Sequence, residues 1–282
     1  MRKIIIFLLL LAILSSVFSQ EKTEDLPQYG IVLSGGGALG FAHIGALMAL
    51  EEAGIEASVI SGASMGAIVG AMYAYGYSPQ EMMTIIEKEN LHKNSKIFNY
   101  RIFNKRGLSN YKKVKKTLND VLPIDNFDSL KRFFALSMTN FNELETEYAY
   151  SGDRLKEKIM ASIAIPYIFE PVVIDNVVYV DGGVMNNLPI EPIKDKCQKI
   201  IMIDVLTTSN SVVDRGKKKI AYRAGLAMMK QMNAERIAQA DYYIGLEKLE
   251  KINPLDFKKY KDIVKIGYEG VKEFLNTHHQ LK

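Results

Sequence analysis

Residues 59–76 read VISGASMGAIVGAMYAYG, and the pentapeptide Gly62-Ala63-Ser64-Met65-Gly66 within them decides how the rest of the chain is read. A short apolar strand precedes it over residues 58–60. Small and apolar residues with helical spacing follow from Met65 to Tyr75, closed by Gly76. Gly-x-Ser-x-Gly between strand and helix is the pattern of a nucleophile elbow. The serine sits on a strained turn, where side chains at Gly62 or Gly66 would collide with the backbone. Its hydroxyl stands at the positive N-terminus of the next helix. The pentapeptide alone is a weak signal, and its strand–turn–helix setting gives it weight.

Upstream, residues 29–55 read YGIVLSGGGALGFAHIGALMALEEAGI, with Gly35, Gly37 and Gly40 at the spacing of a dinucleotide fingerprint. That fingerprint needs an acidic residue about 20 positions on, at the end of the second strand, to hold a ribose. Residues 60–62 stand there instead, without a carboxylate. Beside a serine elbow the glycines suit a different anion, the oxygen of a tetrahedral intermediate. Each backbone N–H aimed at such an oxygen lowers the barrier by roughly 2.7–4 kcal/mol. Gly35, Gly36 and Gly37 let the backbone approach it, and a helix expected from Ala38 adds its dipole.

A serine needs a base. His43 lies in the first turns of the glycine-loop helix, as a packed or surface residue. His92 borders a basic stretch, and His278 and His279 sit in a polar tail. None occupies the strand-end loop that a histidine triad requires. Asp181 does better, in YVDGGVMNNLP, directly after a strand and before Gly182 and Gly183. In a water-poor site a carboxylate can take the serine proton itself, burial raising its pKa toward a useful range. On its own Asp181 also reads as a turn residue. Asp204, at the end of IIMIDVL, is the second candidate.

Elsewhere the pattern alternates strands and helices, which indicates a mostly parallel sheet with helices on both faces, an α/β fold. Strands are expected at 31–33, 133–137 and 199–206, with a hairpin over 172–183 turning at Asp175-Asn176. A helix is expected from Pro79 with Ser78 as its cap, and others over 217–240 and 262–276. No repeat or internal domain boundary is visible.

The segments LSGGGALGFAHIG, ISGASMGAIVGAMYA and ASIAIPYIFEPVVIDNVVYVDGGVMNNLPIEP, in this order within residues 31–192, resemble the three motif blocks of the patatin-like phospholipase family. The resemblance implies a single patatin-like domain over 29–282. It implies a Ser–Asp dyad without histidine, Ser64 as nucleophile and Asp181 as proton acceptor. The loop of Gly35, Gly36, Gly37 and Ala38 then supplies oxyanion-hole amides, with Gly40, Gly182 and Gly183 as supporting motif positions. The implied reaction is hydrolysis of an acyl ester in a phospholipid, lysophospholipid or neutral glyceride, with no cofactor. Leu39 departs from the pattern, since many bacterial members carry arginine there. Alternatives are a small-ester or thioester hydrolase, or a non-catalytic lipid-binding protein on the same scaffold.

Composition agrees with a globular chain of 282 residues, 48% hydrophobic and 24% charged. Arg2 and Lys3 precede an apolar run over 4–14, which as a helix spans about 16 Å against a hydrocarbon core of ~30 Å. With Val17 and Ser19 before the cut, residues 1–19 read as a signal peptide and 20–28 as a polar tether. The protein is therefore expected to be exported, periplasmic or secreted. No cysteine lies near the cut to carry a lipid anchor. Losing the leader lowers the net charge of +4 by two, which argues against nucleic acid as a partner. No carboxylate-rich loop suggests calcium, and a Ser–Asp dyad needs no metal. Residues 93–116 carry nine Lys/Arg, no acid and interleaved aromatics. They fit peripheral contact with an anionic membrane as well as a solvated helix face.

Overall fold

The computed structural model describes residues 26–93, 112–207 and 217–281. The expected leader, the tether up to residue 25 and most of the basic segment (94–111) lie outside the described residues.

Eight strands form one sheet: β1 (Tyr29–Leu33), β2 (Val59–Gly62), β3 (Phe133–Asn140), β4 (Glu145–Ala149), β5 (Val172–Ile174), β6 (Val177–Asp181), β7 (Lys199–Asp204) and β8 (Tyr242–Gly245). Their order is β5-β6-β3-β2-β1-β7-β8, with β4 also paired to β3. The five strands from β3 to β8 in this order run parallel, and β4, β5 and β6 pair antiparallel. Strands buried on both faces read as unbroken apolar runs, which is why the alternation expected of a half-exposed strand is missing here.

Seven α-helices are described: α1 (Ala42–Glu52), α2 (Met65–Tyr75), α3 (Pro79–Lys88), α4 (Lys112–Val121), α5 (Leu155–Ser162), α6 (Lys217–Ile237) and α7 (Tyr260–Thr277). Because side chains alternate along a strand, Ile31, Leu33, Ile60, Ile201 and Ile203 enter the main core with α1 to α5 and α7. Val32, Val59, Ile200 and Met202 point the other way, into a smaller core. There Leu188, Ile190, Ile193 and Cys197 do much of what helices do on the first face, joined by Ile237 at the end of α6. α1 buries eight of its eleven residues because α7 covers the side away from the sheet. The two helices approach closely: a methyl group on Gly45 would strike the Val264 carbonyl, and one on Gly267 the Ala42 carbonyl.

Several elements differ from their expected bounds. The helix expected from Ala38 begins as a 3-10 turn over Gly37–Phe41 and becomes α-helical only at Ala42. Gly37 bends the chain with φ at 56°, and the Ala38 N–H turns out of the helix to donate to the Pro254 carbonyl at 2.7 Å. β3 extends to Asn140, β7 stops at Asp204, and β4, β8, α4 and α5 had no sequence pattern strong enough to announce them. The hairpin turns at Asp175 and Asn176, both at positive φ as a type I′ turn requires. Ser78 caps α3 in a capping box with Glu81.

The sheet's register brings the site together. β1 and β2 end at the same level, Leu33 beside Gly62, so the glycine loop and the elbow leave the sheet side by side. This is the carboxyl end of the parallel strands, where α/β sheets hold ligands. Gly62 pairs with Leu136, and β3 continues past it to Asn140. β6 pairs with that overhang in reverse and reaches Asp181 opposite Met138, just above the elbow.

Candidate active site

Ser64 leaves β2 and opens α2 with φ 50° and ψ −119°. A non-glycine residue held there costs of order 1–3 kcal/mol, so the surroundings must over-determine it. The Ser64 N–H donates to Ser162 Oγ at 3.0 Å, and the Ala63 N–H to the Leu33 carbonyl at 3.1 Å. Gly62 and Gly66 face each other across the turn, and a methyl group on Gly66 would also strike the Leu33 carbonyl. The turn therefore closes only while Gly62 lacks a side chain, and it fits against β1 only while Gly66 does.

The Ser64 hydroxyl donates to Asp181 Oδ2 at 2.6 Å, the short range of a bond to an ionised acceptor. Asp181 Oδ1 accepts the Gly183 N–H at 2.8 Å. Both side chains are nearly closed off, Ser64 being 5% and Asp181 6% exposed. Burial pushes the Asp181 carboxyl up to about 7, while the hydroxyl of Ser64 and the amide of Gly183 pull the other way. A group with that pKa is a competent proton acceptor at neutral pH.

Of the four amides expected to face an oxyanion, two are engaged. The Gly35 N–H donates to Asn187 Oδ1 at 3.1 Å, and the Ala38 N–H goes to Pro254. Gly35 and Ala38 are therefore corrected from donors to anchors of the loop. The N–H groups of Gly36 and Gly37 have no hydrogen bond among the described residues, and both glycines line one cavity with Ser64 and Asp181. Asn187 was missed by sequence reasoning, although it stands in the same motif block. Two adjacent asparagines between DGG and a proline were the available signal, because a buried amide must be bonded to something specific. Gly40 lies against Met65, Gly182 against the Ser137 carbonyl and Gly183 against Asn187 Oδ1, each too closely for a methyl group.

The other candidates are used elsewhere. His43 is fully buried, bonds the Ser34 carbonyl through Nε2 at 2.8 Å, and is pushed down to about 4 by burial. His92 stacks on Tyr260, and His278 on Phe274. Among the described residues no histidine bonds Ser64. Asp204 accepts from Tyr243 and from the Leu206 N–H, closing the end of β7. Leu39 is packed into the core, and its N–H donates to the Gly36 carbonyl at 3.1 Å.

The cavity in front of Ser64 holds about 620 Å³. Among the described residues Asp181 is its one ionisable wall residue, and Met228, Met229 and Met232 of α6 form much of one apolar side. α6 is tied to the asparagine segment: Arg236 Nε donates to Glu191 Oε1 at 2.6 Å, and Asn186 Nδ2 donates to Glu191 Oε2 and to the Tyr148 hydroxyl, each at 2.9 Å.

A family model described as patatin-like phospholipase matches residues 31–194, which contain the elbow, the glycine loop and Asp181. The chain belongs to the patatin-like phospholipase family. An uncharacterised protein of Acanthamoeba polyphaga mimivirus is 31% identical over 199 residues, covering 65% of this chain and 67% of its own length. A lysophospholipase of Candida glabrata is 28% identical over 287 residues, or 88% of this chain. The patatin-like chain spans only 16% of that yeast protein's length. Among solved structures, VipD from Legionella pneumophila shares the fold at a TM-score of 0.54 and 16% identity, over 90% of this chain and 67% of its own.

Proposed function

We propose that the protein is a lipid acyl hydrolase in which Ser64 is the nucleophile and Asp181 its base. The observation that carries the reading is the buried 2.6 Å Ser64–Asp181 bond on a strained elbow, next to two unengaged glycine amides. As Ser64 Oγ bonds to the ester carbonyl carbon, its proton passes to Asp181. The carbonyl oxygen becomes an oxyanion and accepts the N–H groups of Gly36 and Gly37. Collapse breaks the ester C–O bond, and the alcohol leaves with the proton from Asp181. Water then attacks the acyl-serine carbonyl carbon and Asp181 takes its proton; collapse breaks the C–O bond to Ser64, whose Oγ takes that proton back from Asp181 as the free acid leaves. The largely apolar cavity favours a lipid over a small polar ester.

A fluorophosphonate probe is expected to label the folded protein, with the adduct mapping by mass spectrometry to the peptide containing Ser64. Folded protein that does not react would sink the proposal.

We include peripheral contact with an anionic lipid surface. Val114, Leu118 and Val121 bury one face of α4, while Lys112, Lys113, Lys115 and Lys116 are exposed. Each well-placed cation near such a surface contributes about 1 kcal/mol. Reversing all four charges is expected to weaken co-sedimentation with phosphatidylserine vesicles by about tenfold or more at low salt. Unchanged co-sedimentation removes this part of the reading.

A further inference from the structure

Ser64 lines a second cavity as well, of about 120 Å³, walled mainly by α1 to α4 and the segment after α5. Gly37, Ser64, Ile165 and Leu255 border both spaces, so the two meet at the serine. Among the described residues the walls of the second carry no charged side chain, and the hydroxyls there are those of Ser64 and Thr117. A cavity holds one water in roughly 10–15 Å³ by this measure, so there is room for about ten, yet almost no partner for them. A space of that kind stays dry and takes apolar guests.

We propose that the second cavity is the acyl-chain site, with the tail of the scissile acyl group running from Ser64 past Ile68 toward Val114 and Leu118. The proposal rests on the reading of Ser64 as the residue that receives the acyl group. An ester has two sides. The alcohol side of a glycerolipid is polar and must stay hydrated, and the second cavity offers it nothing. The first cavity is the wider of the two and has Asn187 and Asn253 on its wall, with Val184 41% and Met228 68% exposed. The alcohol therefore belongs there, and the tail in the second, more apolar space. Ile68 stands one helical turn beyond Ser64, is half-buried and lines the cavity. The inner face of α4, through Val114 and Leu118, then sets the longest chain accepted.

The test uses the full chain and dodecanoic acid carrying a diazirine at its terminal carbon. Saturable photo-cross-links are expected on the peptides containing Ile68, Val114 or Leu118. Cross-links on Met228, Met229 or Met232, or none that unlabelled dodecanoate displaces, overturn the proposal. Affinity for fatty acids is expected to rise about fourfold per methylene from hexanoate upward. Ile68→Trp flattens that rise and Ile68→Leu keeps it, whereas an unchanged slope in Ile68→Trp counts against the site. These readouts measure binding, so they decide the question even if fluorophosphonate fails to label Ser64.

Discussion

Asp181→Asn is expected to lower kcat by about 10⁴-fold, nearly as far as Ser64→Ala, since groups that act as one unit fail together. Asparagine keeps the size of the side chain and leaves a hydrogen bond to Ser64 and to the Gly183 N–H within reach, but it cannot take a proton. In the proposed mechanism the active form is the carboxylate, and burial pushes its pKa up to about 7. The value of kcat/KM is therefore expected to climb with pH, tenfold per unit below about 7, and to level off above it. A rate that keeps climbing well past neutrality, or survives Asp181→Asn, would assign the base elsewhere.

The same substitution has a second consequence, of opposite sign. Asp181 titrates near its ordinary 3.8 in the unfolded chain and near 7 in the folded one. The folded state thus binds the proton more tightly, and the stability this gives is complete below about pH 4 and lost as pH rises through 7. Three pH units at ~1.36 kcal/mol each make this about 4 kcal/mol. Asparagine has no such proton to lose. Asp181→Asn is expected to be more stable than wild type at pH 8, by up to about 4 kcal/mol in urea unfolding, and equal to it near pH 4. Equal stability at both pH values would mean that the carboxylate carries no burial cost. Gain of stability with loss of rate is the mark of a charge kept in place for chemistry.

What could be read from the sequence follows the range of the interactions. The elbow and the glycine loop are local, each a strand, a turn and a helix start, so their positions were legible. Asp181 was legible as a carboxylate at a strand end, but its meeting with Ser64 depends on the overhang of β3, which no local pattern announces. The fates of Gly35 and Ala38 were not legible, because Asn187 and Pro254, distant in sequence, decide them. Residues beyond 206 carry no motif, yet α6 and the segment at 253–255 wall the cavity and α7 covers α1. Their sequences need only be apolar on the right face, which leaves no signature.

Gly37→Ala is expected to lower kcat/KM by about 10²–10³-fold, the loss that follows when an oxyanion donor is displaced. Gly37 sits at φ 56°, where a Cβ costs about 1–2 kcal/mol, and that Cβ would stand 2.5 Å from the Pro254 carbonyl. The carbonyl cannot give way freely, since it accepts the Ala38 N–H that holds the loop in place. The added methyl must therefore turn the Gly36 and Gly37 amides, open the Pro254 contact, or both. Gly54→Ala separates this effect from backbone strain alone. Gly54 has φ 77° at the end of α1, and a methyl group there would meet nothing within 4 Å. It is expected to lose about 1 kcal/mol of stability and leave kcat/KM unchanged. If Gly37→Ala showed no more than that, the two free amides would have no part in the reaction, and the oxyanion would have to be held by groups other than the glycine loop.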